Sequence, residues 1–246
     1  MLFRNKLHTI LLVLLLLYGA LLTLSDLDYN SCYMDEAIPI LIGQQLLRGE
    51  ICTGCPYMTG SVLIQPVFTA IGESLGGLRG ARAMNILFGL GATLIIYCTA
   101  RLLLGKKYGL IAATLFLLSG QTLYLMKLAT YDMIAAFFLS AAFLLIVVAE
   151  KAETQMLRNV ALFEAAIVLA IASIAKYILP VFMPFLLLYV LYRQGWMRTI
   201  MFVVVPFCTL GAIYYLFAPF APRAETFGQI ENARTISQLP VTTLAV

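Results

Sequence analysis

An all-α integral membrane protein is the fold class this sequence predicts, with about seven transmembrane helices and a large extracytoplasmic first loop that carries interfacial helices. Three observations carry the prediction. Hydrophobic residues make up 62% of the chain and charged residues only 11%, against roughly a quarter charged in soluble domains, so a soluble globular class is excluded. The apolar residues are gathered into segments of span length, since a bilayer core of about 30 Å takes about 20 residues of helix. Basic residues punctuate the ends of these segments, where they set orientation. The net charge of +4 is small, and no basic stripe is interleaved with aromatics, which argues against nucleic acid as a partner.

The chain opens with Arg4 and Lys6 and enters an apolar stretch over residues 10–24. This has the form of a signal peptide, but no clear small-residue cleavage site follows, so a retained anchor with a cytoplasmic N-terminus is expected. The next segment, to about Arg79, then lies outside and forms the large loop, residues 25–79. Within it, residues 35–48 place Ile38, Leu41, Ile42 and Leu46 at helical spacing. Residues 61–75 form a second apolar piece, broken by Pro66 and by Gly72-Glu73. Both are too short or too interrupted to cross and are expected to lie in the interface as walls of a site.

Residues 83–104 return to the cytoplasm, ending among Arg101, Lys106 and Lys107, and residues 110–125 go out again to a polar turn over 127–132. Residues 133–149 come back, closed by Glu150-Lys151 and Arg158. Residues 160–174 and 177–192 form a hairpin with Lys176 at its outer tip, and Arg193 and Arg198 mark the return. Residues 199–217 make the last crossing and 218–246 an extracytoplasmic tail. No fixed-period repeat divides the chain, so residues 1–246 are expected to form one transmembrane module.

Cys98 and Cys208 fall within apolar segments and read as small packing residues. Cys32, Cys52 and Cys55 share the first loop, where a local disulfide is favoured over zinc: the Cys52-Thr53-Gly54-Cys55 spacing has no second pair, and the sole histidine, His8, is at the far end.

This topology gathers Asp35, Glu36, Asp132, Arg79, Arg82, Lys127 and Lys176 on the outer face. Ionisable groups near the membrane need water or a partner, and singly Arg79, Lys127 and Lys176 read equally well as interfacial snorkelling side chains. Together they suit one chemistry. A carboxylate can take a proton from an acceptor hydroxyl, while Arg and Lys hold a phosphate leaving from an activated sugar. Asp35, Glu36 and Asp132 are also oxygen ligands of the kind a divalent cation takes, although separated carboxylates do not establish a metal site.

Asp35-Glu36-Ala37, Gly43, Leu46-Leu47, Gly49-Glu50, Pro66, Gly80-Ala81-Arg82-Ala83-Met84-Asn85 and Ala129-Thr130-Tyr131-Asp132 resemble, in order and placement, the polyprenyl-phosphate-sugar-dependent glycosyltransferases of the GT-C class. The protein O-mannosyltransferase and lipid A aminoarabinose transferase group is the part of that class it looks like. The resemblance implies an inverting transferase in a bacterial inner membrane, with an extracytoplasmic active site and a polyprenyl-phosphate sugar as donor. It places Asp35 at the first-loop acidic position that activates the acceptor, with Glu36 beside it, and Asp132 at the second acidic position. Arg82 falls where the family has an arginine serving the donor phosphate or the loop, and Lys176 resembles a lysine of the following hairpin.

The departures are Pro39, where a tyrosine is common, and Ile64-Gln65-Pro66, where a lysine commonly precedes the proline. Family members also continue through further spans, so the sequence is expected to be a fragment or a shortened protein, and a partner subunit is compatible with either. A transporter or flippase would place charged or broken helices near the midplane. Here the acids gather at the outer end and Glu164 is expected near the cytoplasmic end of its span. A non-catalytic subunit derived from such an enzyme is a third reading, which the retention of Asp35 and Asp132 disfavours. The sugar and the acceptor, whether lipid, glycan or protein, are not identified by the sequence.

Overall fold

The computed structural model describes residues 2–25, 27–50, 64–176 and 178–217, and the regular structure among them is helical. Helix α1 (Leu2–Leu24) is the apolar N-terminal segment. Helix α2 (Met34–Leu47) begins with Asp35 and Glu36 in its first turn, where carboxylates complement the positive end of the helix dipole. The Glu36 carboxylate also accepts from the Tyr33 N–H at 3.1 Å, closing that end. The expected interfacial helix over 35–48 is therefore present as a helix.

Helix α3 (Gln65–Leu104) corrects the expected boundaries of the next two pieces. Pro66 starts the helix instead of interrupting it, because proline in the first turn lacks only an N–H that would have no partner there. The break falls at Gly76–Gly77 and not at Gly72-Glu73; Gly77 has φ +60°, a conformation open to glycine. The chain doubles back there so tightly that a Cβ on Gly80 would lie 2.0 Å from the Gly72 carbonyl oxygen. Helix α2 packs on the first arm as closely, since a Cβ on Gly43 would lie 1.9 Å from the Pro66 carbonyl oxygen. The second arm resumes at Leu78, earlier than the expected start at residue 83.

Helices α4 (Lys106–Leu117) and α5 (Gly120–Met126) form one apolar segment bent by 63°. Ser119 stands at the bend and its Oγ accepts from the Thr122 N–H at 3.2 Å, capping α5. Helices α6 (Tyr131–Lys151) and α7 (Gln155–Ala175) make an antiparallel hairpin. Its seam is built on Ala142, Ala149, Ala161, Ala165 and Ala166, small residues that let two backbones approach. A short 3-10 turn (Leu179–Phe182) leads into α8 (Met183–Gln194), and α9 (Trp196–Phe217) follows Gly195 at φ +83°. Val190 and Phe202 join these last helices to the α6–α7 core.

Among the described residues four helices are long and apolar enough to cross a membrane, or five if the bent α4–α5 pair is one crossing. The expected crossing over 177–192 corresponds to a shorter apolar stretch, Leu179–Gln194, and that over 199–217 falls within the 22-residue apolar α9. Glu164 lies midway along α7 and is exposed, not near the end of its span as expected. The Cys52/Cys55 motif and the 218–246 tail lie outside the described residues.

Candidate functional site

The predicted charged residues come together at one end of the bundle, and a buried ion pair organises them. Glu36 and Arg82 are both fully buried. The guanidinium grips the carboxylate with two parallel bonds, Nε to Oε1 and a terminal nitrogen to Oε2, each 2.8 Å, the fork geometry that makes such pairs strong and directional. Glu36 Oε1 also accepts from the Ala129 N–H at 2.9 Å. Arg82 donates further to the carbonyls of Leu27, Asn30 and Ser31 and lies over the Tyr29 ring at 5.2 Å. The pair thus joins α2, α3, the 27–33 loop and the α5–α6 turn. Burial by itself would raise the Glu36 carboxyl, but the Arg82 fork, with the Ala129 and Tyr33 amides, outweighs it and holds the group below its ordinary value near 4.5.

One helical turn along α3, the buried Asn85 donates to the Leu125 and Leu128 carbonyls. Arg82, through Glu36, and Asn85 therefore hold adjacent parts of the α5–α6 turn, at Ala129 and Leu128. Sequence reasoning quoted Asn85 in a motif without giving it this task; its signal was an amide set in an apolar helix, where a polar side chain needs a partner.

Asp35, adjacent to Glu36, has the opposite fate. It is exposed and makes no hydrogen bond or ion pair with another described residue. Successive residues of a helix point about 100° apart, so when Glu36 turns inward its neighbour is presented to the outside. Tyr131, at the head of α6, lies within electrostatic range of Asp35. Beside it, Asp132 accepts from Lys176 Nζ and, at 3.0 Å, from Thr130 Oγ1; both ion-pair side chains are about 30% exposed. The pair ties the start of α6 to the end of α7.

The remaining predicted cations hold the first loop. Arg79 pairs with Asp28 at the surface, and Lys127 Nζ donates to the Ser25 carbonyl at 3.2 Å. Asp28 was not singled out by the sequence. Asp35, Glu36 and Asp132 do not meet at one point: among the described residues no group of three carboxylate, cysteine or histidine side chains could hold a metal ion. Among the described residues these carboxylates do not form a donor set for a divalent cation. Cys32 is exposed in the same loop.

Below the charged end, α3, α4, α6 and the Leu179–Gln194 region enclose an apolar groove of about 490 Å³. Phe116, Ala136, Phe143, Phe182 and Phe185 line it. Phe182, one of its lining residues, ends the 3-10 turn that follows Lys176.

Helical throughout the described residues, with four or five apolar candidate spans and one charged cluster above an apolar groove, the structure is consistent with a membrane protein of the GT-C type. The family evidence makes that class firm: residues 56–222 match the dolichyl-phosphate-mannose-protein mannosyltransferase family, and the chain belongs to it. The resemblance drawn from the motifs is borne out. The matched segment holds Arg79, Arg82, Lys127, Asp132 and Lys176, while Asp35 and Glu36 precede it. No curated protein and no solved structure matches the chain.

Proposed function

We propose that this membrane glycosyltransferase moves a sugar from a polyprenyl-phosphate donor to a lipid, glycan or protein hydroxyl at the extracytoplasmic face, with inversion, and that Asp35 is the base. The observation that carries the reading is the division of labour between neighbours: Glu36 is buried and fully engaged, whereas Asp35 is exposed and unengaged among the described residues. A general base needs free lone pairs within reach of the acceptor, and of the two only Asp35 offers them.

In this mechanism the acceptor oxygen attacks the anomeric carbon, the bond from that carbon to the phosphate oxygen breaks, polyprenyl phosphate departs, and Asp35 takes the hydroxyl proton. Lys176 faces the leaving phosphate, exchanging part of its interaction with Asp132 for the donor's charge. The groove lined by Phe182 and Phe185 takes the first isoprene units, with the phosphate held by Lys176. Glu36, expected beside the base, and Arg82, expected to serve the donor phosphate or the loop, act as positioning residues in this mechanism, because their polar atoms are already committed to protein partners. Arg79 and Lys127 shape the loop that carries Tyr33 and α2.

The test is transfer from a panel of radiolabelled polyprenyl-phosphate sugars in membranes containing the wild type, Asp35→Asn or Asp132→Asn at matched expression. The expected result is loss of about a hundredfold or more in Asp35→Asn, with a smaller loss in Asp132→Asn. Undiminished transfer by Asp35→Asn would remove it as the base.

A further inference from the structure

At the end of the bundle opposite the Glu36–Arg82 pair, a second cavity of about 430 Å³ has a different character. It lies where α7 begins, α8 ends and α9 begins, and its walls include Gln155, Asn159, Gln194, Trp196 and Arg198. Helix α6 separates the two ends by its full 21 residues, about 30 Å.

The polar groups of this cavity are arranged in advance. Arg198 donates to Gln155 Oε1 at 2.6 Å, to Asn159 Oδ1 at 3.3 Å and to the Gln194 carbonyl at 3.0 Å. Gln155 also donates to Asn159 Oδ1 at 3.4 Å. A guanidinium has five N–H donors, so donors remain on both terminal nitrogens after these bonds. Among the described residues Arg198 has no carboxylate partner, although Glu150 is held by Arg193 and Tyr189 close by. Gln194 is nine-tenths buried, and its Nε2 donates to the Ile146 carbonyl at 3.3 Å. That bond fixes the amide orientation, and the Gln194 Oε1 is enclosed by protein with no hydrogen-bond partner among the described residues. What the open cavity itself lacks is an anion for Arg198.

The start of α9 adds amides whose first turn has no intrahelical acceptor, a setting that favours an anion. The surroundings identify the source of that anion. Trp196 and Met197 are 67% and 80% exposed beside the cavity, and a tryptophan at the end of an apolar helix belongs at headgroup depth. Lys151, Arg158, Arg193 and Arg198 face only Glu150 and Glu153 at this end, a positive excess suited to an anionic leaflet.

We propose that this cavity is a specific site for the headgroup of an anionic membrane phospholipid, with the phosphate on Arg198 and the start of α9. Phosphatidylglycerol carries that phosphate as a net negative charge. In phosphatidylcholine the trimethylammonium group cancels it. The site is independent of the transfer chemistry assigned to the other end.

Trp196 is the chain's single tryptophan, so its fluorescence reports this site alone. The experiment reconstitutes the full chain into phosphatidylcholine vesicles and titrates in phosphatidylglycerol brominated on its acyl chains, with brominated phosphatidylcholine as comparison. Wild type is expected to reach half-quenching at a mole fraction at least fivefold lower for phosphatidylglycerol. Arg198→Gln abolishes that difference, while Lys107→Gln leaves it intact. Should the variants fail to fold, the comparison of the two lipids in the wild type still decides. Coincident curves in the wild type would overturn the site. Relief of quenching by millimolar glycerol phosphate as effectively as by unbrominated phosphatidylglycerol would assign it to a soluble phosphate compound and overturn the lipid.

Discussion

Glu36 and Arg82 give the clearest energetic contrast at the scale of single residues, because the same chemistry also occurs at the surface between Arg79 and Asp28. Removing one partner of a buried pair leaves the other charge uncompensated, which costs about 3–5 kcal/mol; an exposed pair contributes about 1 kcal/mol or less. Glu36→Gln is accordingly expected to lower the unfolding midpoint in detergent far more than Arg79→Gln, with thermal melts of both variants as the measurement. Arg82→Lys should resemble Glu36→Gln despite keeping its charge, since lysine cannot reproduce the two-pronged grip. Equal midpoints for Glu36→Gln and Arg79→Gln would contradict the pair's organising role. The pH dependence follows from the depressed Glu36 carboxyl. Its stabilisation is complete above the ordinary carboxylate value near 4.5 and is lost as pH falls through the lower folded value. Acid titration of the melting temperature should thus show a steeper fall in the wild type than in Glu36→Gln.

Among the elements, the glycines of the α2–α3 corner decide how closely the first loop can pack. Gly43 and Gly80 each face a backbone carbonyl where a Cβ would sit at 2 Å or less, and backbone cannot yield as a flexible side chain can. Gly43→Ala and Gly80→Ala should each destabilise by about 1–3 kcal/mol, and Gly77→Ala by about 1 kcal/mol through its positive φ. Gly120→Ala is the control, because that position opens onto free space. Melts in which the control falls as far as Gly80→Ala would refute the corner's tight packing. The sequence marked this region as interrupted by Pro66 and Gly72-Glu73. It could not separate a proline that starts a helix from one that breaks it, because the distinction depends on which N–H groups already have partners. Nor could it separate a glycine that bends the chain from one that admits a neighbouring backbone.

For the molecule as a whole, the polyprenyl-phosphate donor proposed above, taken with the groove and the charged end, predicts a dependence on prenyl length. Ala136→Phe fills the groove lined by Phe143 and Phe182 without touching the charged cluster. It should raise KM for long-chain donors about tenfold, equivalent to about 1.4 kcal/mol, and leave short-chain donors nearly unaffected. Steady-state kinetics with donors of two prenyl lengths measures this, and equal effects on both would separate the groove from the donor. The hydrophobic composition and apolar runs of the sequence by themselves determined a helical membrane protein, because backbone polar groups in a bilayer must be satisfied within a helix or a closed barrel. The order of acidic and basic motifs likewise determined the family, which the match over residues 56–222 bears out. Tertiary structure alone decided the tasks of the charges: Asp35 and Glu36 are neighbours in the chain, yet one is exposed and the other buried against Arg82. Helical rotation turns adjacent side chains to different surroundings, and only the packing of α2, α3 and the α5–α6 turn sets which carboxylate finds a buried partner.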